Sequence, residues 1–314
     1  TTMDAANAIK SKRIIELTGN EAGIVFRKDK TFLLDWMQVY MEAQESAGKK
    51  DGSQIKIAMR ILKDYAGEMV TLDQIDGDFC RGYITYLLTE YHPKGKDISN
   101  YTLHNYYRAL NGALNSAVRK KKMKANPFNE LEKSEKIRKP ESMRSYMTIE
   151  EVQALIDTPM PHEEYEIVKC AYLFSCFCGL RISDIIKLKW NDVFVDRGQY
   201  RLAVSMKKTK EPIYLPLSPE ALKWMPERGG KSSEDNVFDL PSANTIRMQL
   251  KPWAKAAGIS KRFSYHTSRH TFATMMLTLG ADLYTVSKLL GHADVKMTQV
   301  YAKIINKKKD EDRK

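Results

Sequence analysis

Leu289-Leu-Gly-His-Ala-Asp-Val-Lys-Met-Thr-Gln-Val-Tyr301 is the stretch on which the reading of the chain turns. Gly291 has the position of a left-handed terminator closing a helix over 284–290. His292 follows it directly, and a new helical run from Val295 carries Tyr301. Working back, Tyr265-His-Thr-Ser-Arg-His-Thr-Phe-Ala273 places His266 and Arg269 three residues apart. At the start of a helix over 267–279 they fall on neighbouring faces of one turn. Earlier still, Arg181 follows a break at Gly179 and precedes a short apolar helix with Ile185, Ile186 and Leu188, and Lys208 sits in a turn between two strand-like runs. None of these polar side chains is needed for packing. Singly, each has a structural alternative: an ion-paired arginine, a solvated turn lysine, histidines satisfied at helix ends, a half-buried core tyrosine. As an ordered set they ask for another account.

Around this set the chain divides in two. Its 314 residues fit two domains at roughly 100–200 residues each. Residues 1–28 form a basic lead-in with Ile9, Ile14, Ile15 and Leu17 at helical spacing. Residues 29–132 show helical periodicity throughout. One stripe runs through Phe32, Leu33, Trp36, Met37, Tyr40 and Met41, and a second through Ile55, Ala58, Met59 and Leu62. A third begins after the start signal Thr71-Leu-Asp-Gln and runs through Phe79, Tyr83, Ile84 and Leu87; a fourth opens at Ser99 and ends before Asn126-Pro127. Residues 133–145, charged and without periodicity, are the expected linker. The second domain, 146–314, starts at a capping box, Thr148-Ile-Glu-Glu151. It continues with a buried helix over 165–178 and strand-like runs at 193–195, 200–206 and 213–217, a small antiparallel meander. From Asn244 the chain returns to helix, and it ends in a charged tail.

Composition narrows the partners. The formal charge is +12 and the sequence pI about 9.3, which points to a polyanion, nucleic acid first among them. The four cysteines, Cys80, Cys170, Cys176 and Cys178, form no Cys-x-x-Cys pair, and three lie in one apolar run. They are expected in the core rather than in zinc sites or disulfides. No apolar stretch approaches the roughly 20 residues that span a bilayer, no secretory signal pattern opens the chain, and a cytoplasmic location is expected. The start, Thr1-Thr-Met-Asp, does not read as a natural one, and missing N-terminal sequence is expected.

The chain resembles the tyrosine recombinases of the phage integrase family. The resemblance rests on Cys178-Gly-Leu-Arg-Ile-Ser-Asp184, on Lys207-Lys-Thr-Lys-Glu-Pro-Ile-Tyr-Leu-Pro-Leu217, and on the His-x-x-Arg and Leu-Gly-His boxes quoted above, in order and at family spacing. It implies a mainly α fold: a four-helix core-site DNA-binding domain, then a mixed α/β catalytic domain with a small three-stranded antiparallel sheet. It also implies a catalytic set of Arg181, Lys208, His266, Arg269, His292 and the nucleophile Tyr301. Tyr301 would form a 3′-phosphotyrosine, the two arginines and His292 would hold the phosphate, His266 would take the tyrosine proton, and Lys208 would protonate the departing 5′ oxygen; Lys207 and Lys210 remain alternatives for that last role. No cofactor and no metal are expected. No phosphate-binding Gly-x-x-x-x-Gly-Lys-Ser/Thr loop and no His-Glu-x-x-His motif occurs.

The implied partner is double-stranded DNA at two recombination sites, bound by a homotetramer on synapsed DNA, with a monomer off DNA and accessory DNA-bending proteins left open. A bacterial, nucleoid-associated setting and integration or excision of a mobile element follow from the same resemblance. Candidate DNA-contacting residues in the first domain are Lys56, Arg60, Tyr106, Arg108, Arg119, Lys120, Lys121, Lys122 and Lys124, against the alternative of a solvated helix face. Ile304 and Ile305 are candidates for docking on a neighbouring protomer. Two other functions compete: a type IB topoisomerase, and a DNA-binding regulator that uses residues 282–303 as a helix-turn-helix.

Overall fold

The computed structural model of the protein describes residues 30–140, 144–205 and 212–311. The lead-in 1–28, its stripe Ile9, Ile14, Ile15 and Leu17, and the hairpin lysines Lys207, Lys208 and Lys210 lie outside the described residues. The chain forms two compact units, divided between Ser142 and Met143.

The first unit is built from four helices among the described residues: α1 Leu33–Ser46, α2 Gly52–Ala66, α3 Gly77–Thr89 and α4 Asn100–Arg119. Each buries the stripe its sequence offers. Leu33, Met37, Ala58, Leu62, Tyr83, Leu87, Leu110 and Leu114 are all buried in one core. Ser99 caps α4 by accepting from the Thr102 amide, satisfying one of the free N–H groups of the first turn. The start signal at Thr71 has a different outcome from the one expected. Its capping box with Gln74 closes a single 3-10 turn, Leu72–Gln74, and α3 is capped separately by Asp76, whose carboxylate accepts from the Phe79 amide.

Two features of this unit modify the sequence reading. Within the stretch expected as linker, Ile137 is buried in the first core and Glu135 pairs with Arg81 at 2.8 Å. Tyr106, a DNA-contact candidate, is a core residue, 7 % exposed, its ring edge-on to Tyr91 at 6.1 Å. The cause is periodicity: Leu103, Tyr106, Tyr107 and Leu110 lie on one stripe of α4. Truncating such a side chain removes packed area and leaves a cavity, so Tyr106→Ala is expected to cost about 3–5 kcal/mol, read as a lower urea midpoint. The basic candidates Lys56, Arg60, Arg108, Arg119, Lys120, Lys121, Lys122 and Lys124 are all exposed.

The second unit carries α5 Ile149–Asp157, α6 Glu166–Cys178, α7 Ile182–Ile185, strands β1 Val193–Asp196, β2 Gln199–Ser205 and β3 Pro212–Pro216, then α8 Pro219–Lys223, α9 Ala243–Ala256, α10 Tyr265–Thr278, α11 Leu283–Leu289 and α12 Lys296–Glu311. The strands form an antiparallel meander in the order β1-β2-β3. Leu202 and Val204 of β2 and Leu215 of β3 turn to the core, and the Ser205↔Pro212 pairing makes 206–211 the connection between β2 and β3. The Thr148–Glu151 capping box opens α5 as expected. α6 is apolar on most sides, as a helix at the centre of a unit must be, with Val168, Tyr172, Phe174 and Cys176 buried. Cys80, Cys176 and Cys178 are buried and all four cysteines are free; burial pushes the Cys176 thiol up, so these act as small apolar side chains. Among the described residues no helix is long and apolar enough to cross a membrane.

Candidate active site

α10 is the spine of the site, and its seating comes first. Tyr265 Oη donates to the Ala171 carbonyl at 2.7 Å and lies 2.9 Å from Ser175 Oγ, while Tyr172 Oη and Thr267 Oγ1 are 2.8 Å apart. These buried bonds lock the first turn of α10 to α6. On the other side, the Met147 amide donates to Thr271 Oγ1 at 2.9 Å, tying the segment before α5 to the same helix.

Arg269, one turn further along, is 2 % exposed. Its guanidinium donates to the Gly179 carbonyl at 2.7 Å and to the Leu290 carbonyl. One side chain thus braces the backbone just before Arg181 and the backbone just before Gly291 and His292. Both braced carbonyls sit at helix ends, where the chain has acceptors to spare. Gly179 and Gly291 take positive φ, 74° and 59°, and so turn the chain sharply after α6 and α11. A methyl on Gly179 would lie 2.5 Å from Phe272 Cδ1 as well as straining the backbone. Gly179→Ala is therefore expected to lower stability by about 1–3 kcal/mol, seen in thermal unfolding, and to displace the Arg269 brace.

Arg181 precedes α7 and faces Asp184, Nη1 to Oδ2 3.9 Å, in a largely buried pair. It lies close enough to Arg269 to act on it: burial first, and then the Arg181 charge, lower the Arg269 pKa to about 10. The guanidinium stays charged at neutral pH, so two cations are held near one another inside the unit. Asp184 offsets part of that repulsion, and a further anion between the two guanidiniums would offset more. His292 is fixed from α12, with Nδ1 2.7 Å from Oγ1 of the buried Thr298. His266 is exposed at the start of α10, its ring edge-on to His270 with centroids 4.5 Å apart.

Tyr301 is 1 % exposed. Its ring packs with Phe272, Ala273, Val286 and Leu290, and Ile304 lies against the same cluster, so Ile304 is engaged within its own chain. The phenol oxygen has two partners. Arg144 Nη1 donates to it at 2.8 Å, with the guanidinium also 5.1 Å from the ring centroid. His270 Nδ1 lies 2.7 Å from the same oxygen. Neither partner was singled out from the sequence. His270 stands inside the quoted box, one helical turn after His266, and that spacing was its available signal. Arg144, placed by sequence in the linker, is 157 residues from Tyr301, and no local pattern could pair them. Among the described residues no cluster of three or more His, Cys, Asp or Glu side chains could hold a metal.

A four-helix unit followed by a helical unit with a three-stranded meander, bearing Arg181, His266, Arg269, His292 and Tyr301 in that order, is the build of the tyrosine recombinases. Residues 145–308 match the phage integrase family and residues 32–138 its SAM-like domain; the chain belongs to the phage integrase family. It is 32 % identical over 180 residues to tyrosine recombinase XerD of Vibrio vulnificus, covering 52 % of this chain and 58 % of that protein, so the chain spans little more than half the length of that relative. A tyrosine recombinase of Pseudothermotoga lettingae is 29 % identical over 237 residues, 68 % of this chain and 81 % of that one. In fold, the Tn1549 transposon integrase in complex with circular intermediate DNA superposes with a TM-score of 0.68 at 17 % identity, covering 86 % of this chain and 94 % of that one. A lambda integrase dimer bound to a COC′ core site gives 0.63 at 21 %, covering 86 % and 95 %.

Proposed function

We propose that the protein is a site-specific DNA recombinase that cuts and rejoins strands through a covalent 3′-phosphotyrosine at Tyr301, in the integration or excision of a bacterial mobile element. The observation that carries this reading is the grouping of Tyr301, Arg269, Arg181 and His292 within one unit, with the Arg269 guanidinium feeling both the Arg181 charge and the buried phenol. Guanidiniums suit the non-bridging oxygens of a phosphodiester, where charge grows as the tyrosine attacks. His292 adds a hydrogen bond to the same oxygens. Lys208, on the β2–β3 connection, delivers a proton to the departing 5′ oxygen. The free 5′ hydroxyl then attacks the matching linkage of a second duplex, and the covalent bond stores the energy for rejoining.

In the first unit, Lys56 and Arg60 are one turn apart on α2, and Arg108 and Arg119 share a face of α4. With Lys120, Lys121, Lys122 and Lys124 they supply phosphate contacts. Each contact removed lowers the slope of log K against log salt by about 0.9. The quadruple change of residues 119–122 to alanine is expected to flatten that slope by about 3.6, measured by fluorescence anisotropy on duplex DNA across salt concentrations. In this reading the working assembly on two synapsed sites is a homotetramer.

The test is a plasmid carrying two copies of the element junction, incubated with the protein and a chelator, without ATP. Deletion or inversion between the sites is the expected result. Relaxed plasmid with no rearranged product favours a type IB topoisomerase, and DNA binding with neither product favours a regulator.

A further inference from the structure

Tyr301 cannot attack as a phenol; its proton must leave as the bond to phosphorus forms. The group expected from the sequence to receive it is His266, but the ring nitrogen against the phenol oxygen belongs to His270. Arg144 has only donors, so it must give a hydrogen to Oη. The phenol's own hydrogen then needs an acceptor inside a site that is 1 % exposed. His270 Nδ1, at 2.7 Å, is the acceptor present. That assignment gives both hydrogens at the phenol oxygen, the one from Arg144 and its own, a partner, and it requires the His270 tautomer with its proton on Nε2.

From this geometry we infer that His270 is the proton acceptor for Tyr301 and that Arg144 is a positioning residue, holding the phenol oxygen and stabilising the phenolate as it forms. This deepens the recombinase reading and rests on it. In the step, Tyr301 Oη bonds to phosphorus while the bond to the 5′ oxygen breaks. The phenol proton passes to His270 Nδ1, giving an imidazolium, and the 5′ oxygen takes one proton from the acid of the site, Lys208 in our proposal. Rejoining runs the two transfers backward, so no proton is gained or lost over the cycle.

The groups facing His270 are His266 and Arg269 from its own helix, Arg144 from the segment before α5, His292 from the turn after α11, and Tyr301 from α12. Burial, then His266, Arg144, Arg269 and His292, hold its pKa down at about 3. The imidazole is therefore neutral near pH 7, with its lone pair available. A DNA phosphate brings negative charge among the same cations, offsets them, and makes His270 more basic at the moment a base is needed.

Two measurements test this. The first follows covalent adduct formation on a nicked suicide duplex across pH, for wild type, His270→Leu and His270→Asn. A lost general base is worth about 10²–10⁴-fold. His270→Leu is expected to bind DNA as wild type does and to form adduct slower by that factor near pH 7, gaining about tenfold per pH unit toward the ordinary tyrosine pKa of about 10. His270→Asn, which keeps a hydrogen-bond acceptor near the Nδ1 position but cannot take a proton, is expected to stay nearly as slow as His270→Leu near pH 7; a rate near wild type would make the role one of hydrogen bonding alone. A deficit equal at every pH, or no deficit, overturns the assignment. The second needs no activity: nitrogen NMR of His270 in the DNA-free wild type. The Nε2-protonated tautomer is expected, and a proton on Nδ1 overturns the inference. Wild type that binds DNA and forms no adduct removes the recombinase reading and the catalytic role with it, whereas an adduct-forming wild type with an Nδ1-protonated His270 removes the His270 role alone.

Discussion

Tyr301→Phe is expected to abolish covalent attachment to DNA, with strand cleavage falling to background, while duplex binding persists. The substitution removes one oxygen from a ring that otherwise keeps its packing against Phe272, Val286 and Leu290. Its structural cost is the loss of the bonds to Arg144 and His270, about 1–3 kcal/mol with both partners left in place. Stability and catalysis therefore separate in this variant: a small drop in melting temperature beside a complete loss of chemistry. A gel-shift titration paired with a denaturing gel on the same samples makes the comparison directly. Retained cleavage moves the nucleophile to another side chain.

The second large effect is at Arg269. Its guanidinium carries two structural bonds, to Gly179 and Leu290, and in the proposed mechanism it also faces the phosphate. Arg269→Ala leaves two buried carbonyls without their donor, about 1–3 kcal/mol each, and slackens the turns that hold Arg181 and His292. Removing one preorganised charge from a developing oxyanion commonly costs about 10²–10³-fold in rate, and the slackened turns add to that. Arg269→Lys keeps a charge but has no planar fork to span both carbonyls, so it is expected to lose part of the bracing stability and most of the activity. Urea unfolding and single-turnover adduct formation separate the two effects; a lysine variant with wild-type stability contradicts the bracing role, and one with wild-type rate contradicts the phosphate role.

How much of this was legible in the chain depended on whether the governing interactions are local. The stripes of α1, α2 and α4, the Ser99 cap, the Thr148–Glu151 box and the meander are local patterns, and they appear where the periodicity puts them. The Thr71 box misled because a capping box closes any short helical turn, here a 3-10 turn separated from α3 by two residues. Ile137 gave no warning because one apolar side chain among charges has no period, yet it reaches the first core. Tyr106 is polar and aromatic, as a DNA contact can be, but its place on the α4 stripe assigns it to the interior. In the site, the described members of the ordered set of polar residues all fall within the second unit. What stayed hidden was which atom touches which: the Arg269 brace spans 90 residues to Gly179, and Arg144 reaches Tyr301 across 157. Such contacts are products of the packed fold, and spacing along the chain carries no trace of them.

The central claim is that Tyr301 becomes covalently joined to a DNA 3′ phosphate. Its most direct test is to trap the protein on a nicked duplex built from the element's junction, digest both components, and map the modified peptide by mass spectrometry. The account predicts a nucleotide remnant on the peptide carrying Tyr301, attached through a 3′ phosphate, formed equally well with chelator present. A remnant on another residue, a 5′ linkage, or no adduct on DNA that the protein demonstrably binds would contradict it.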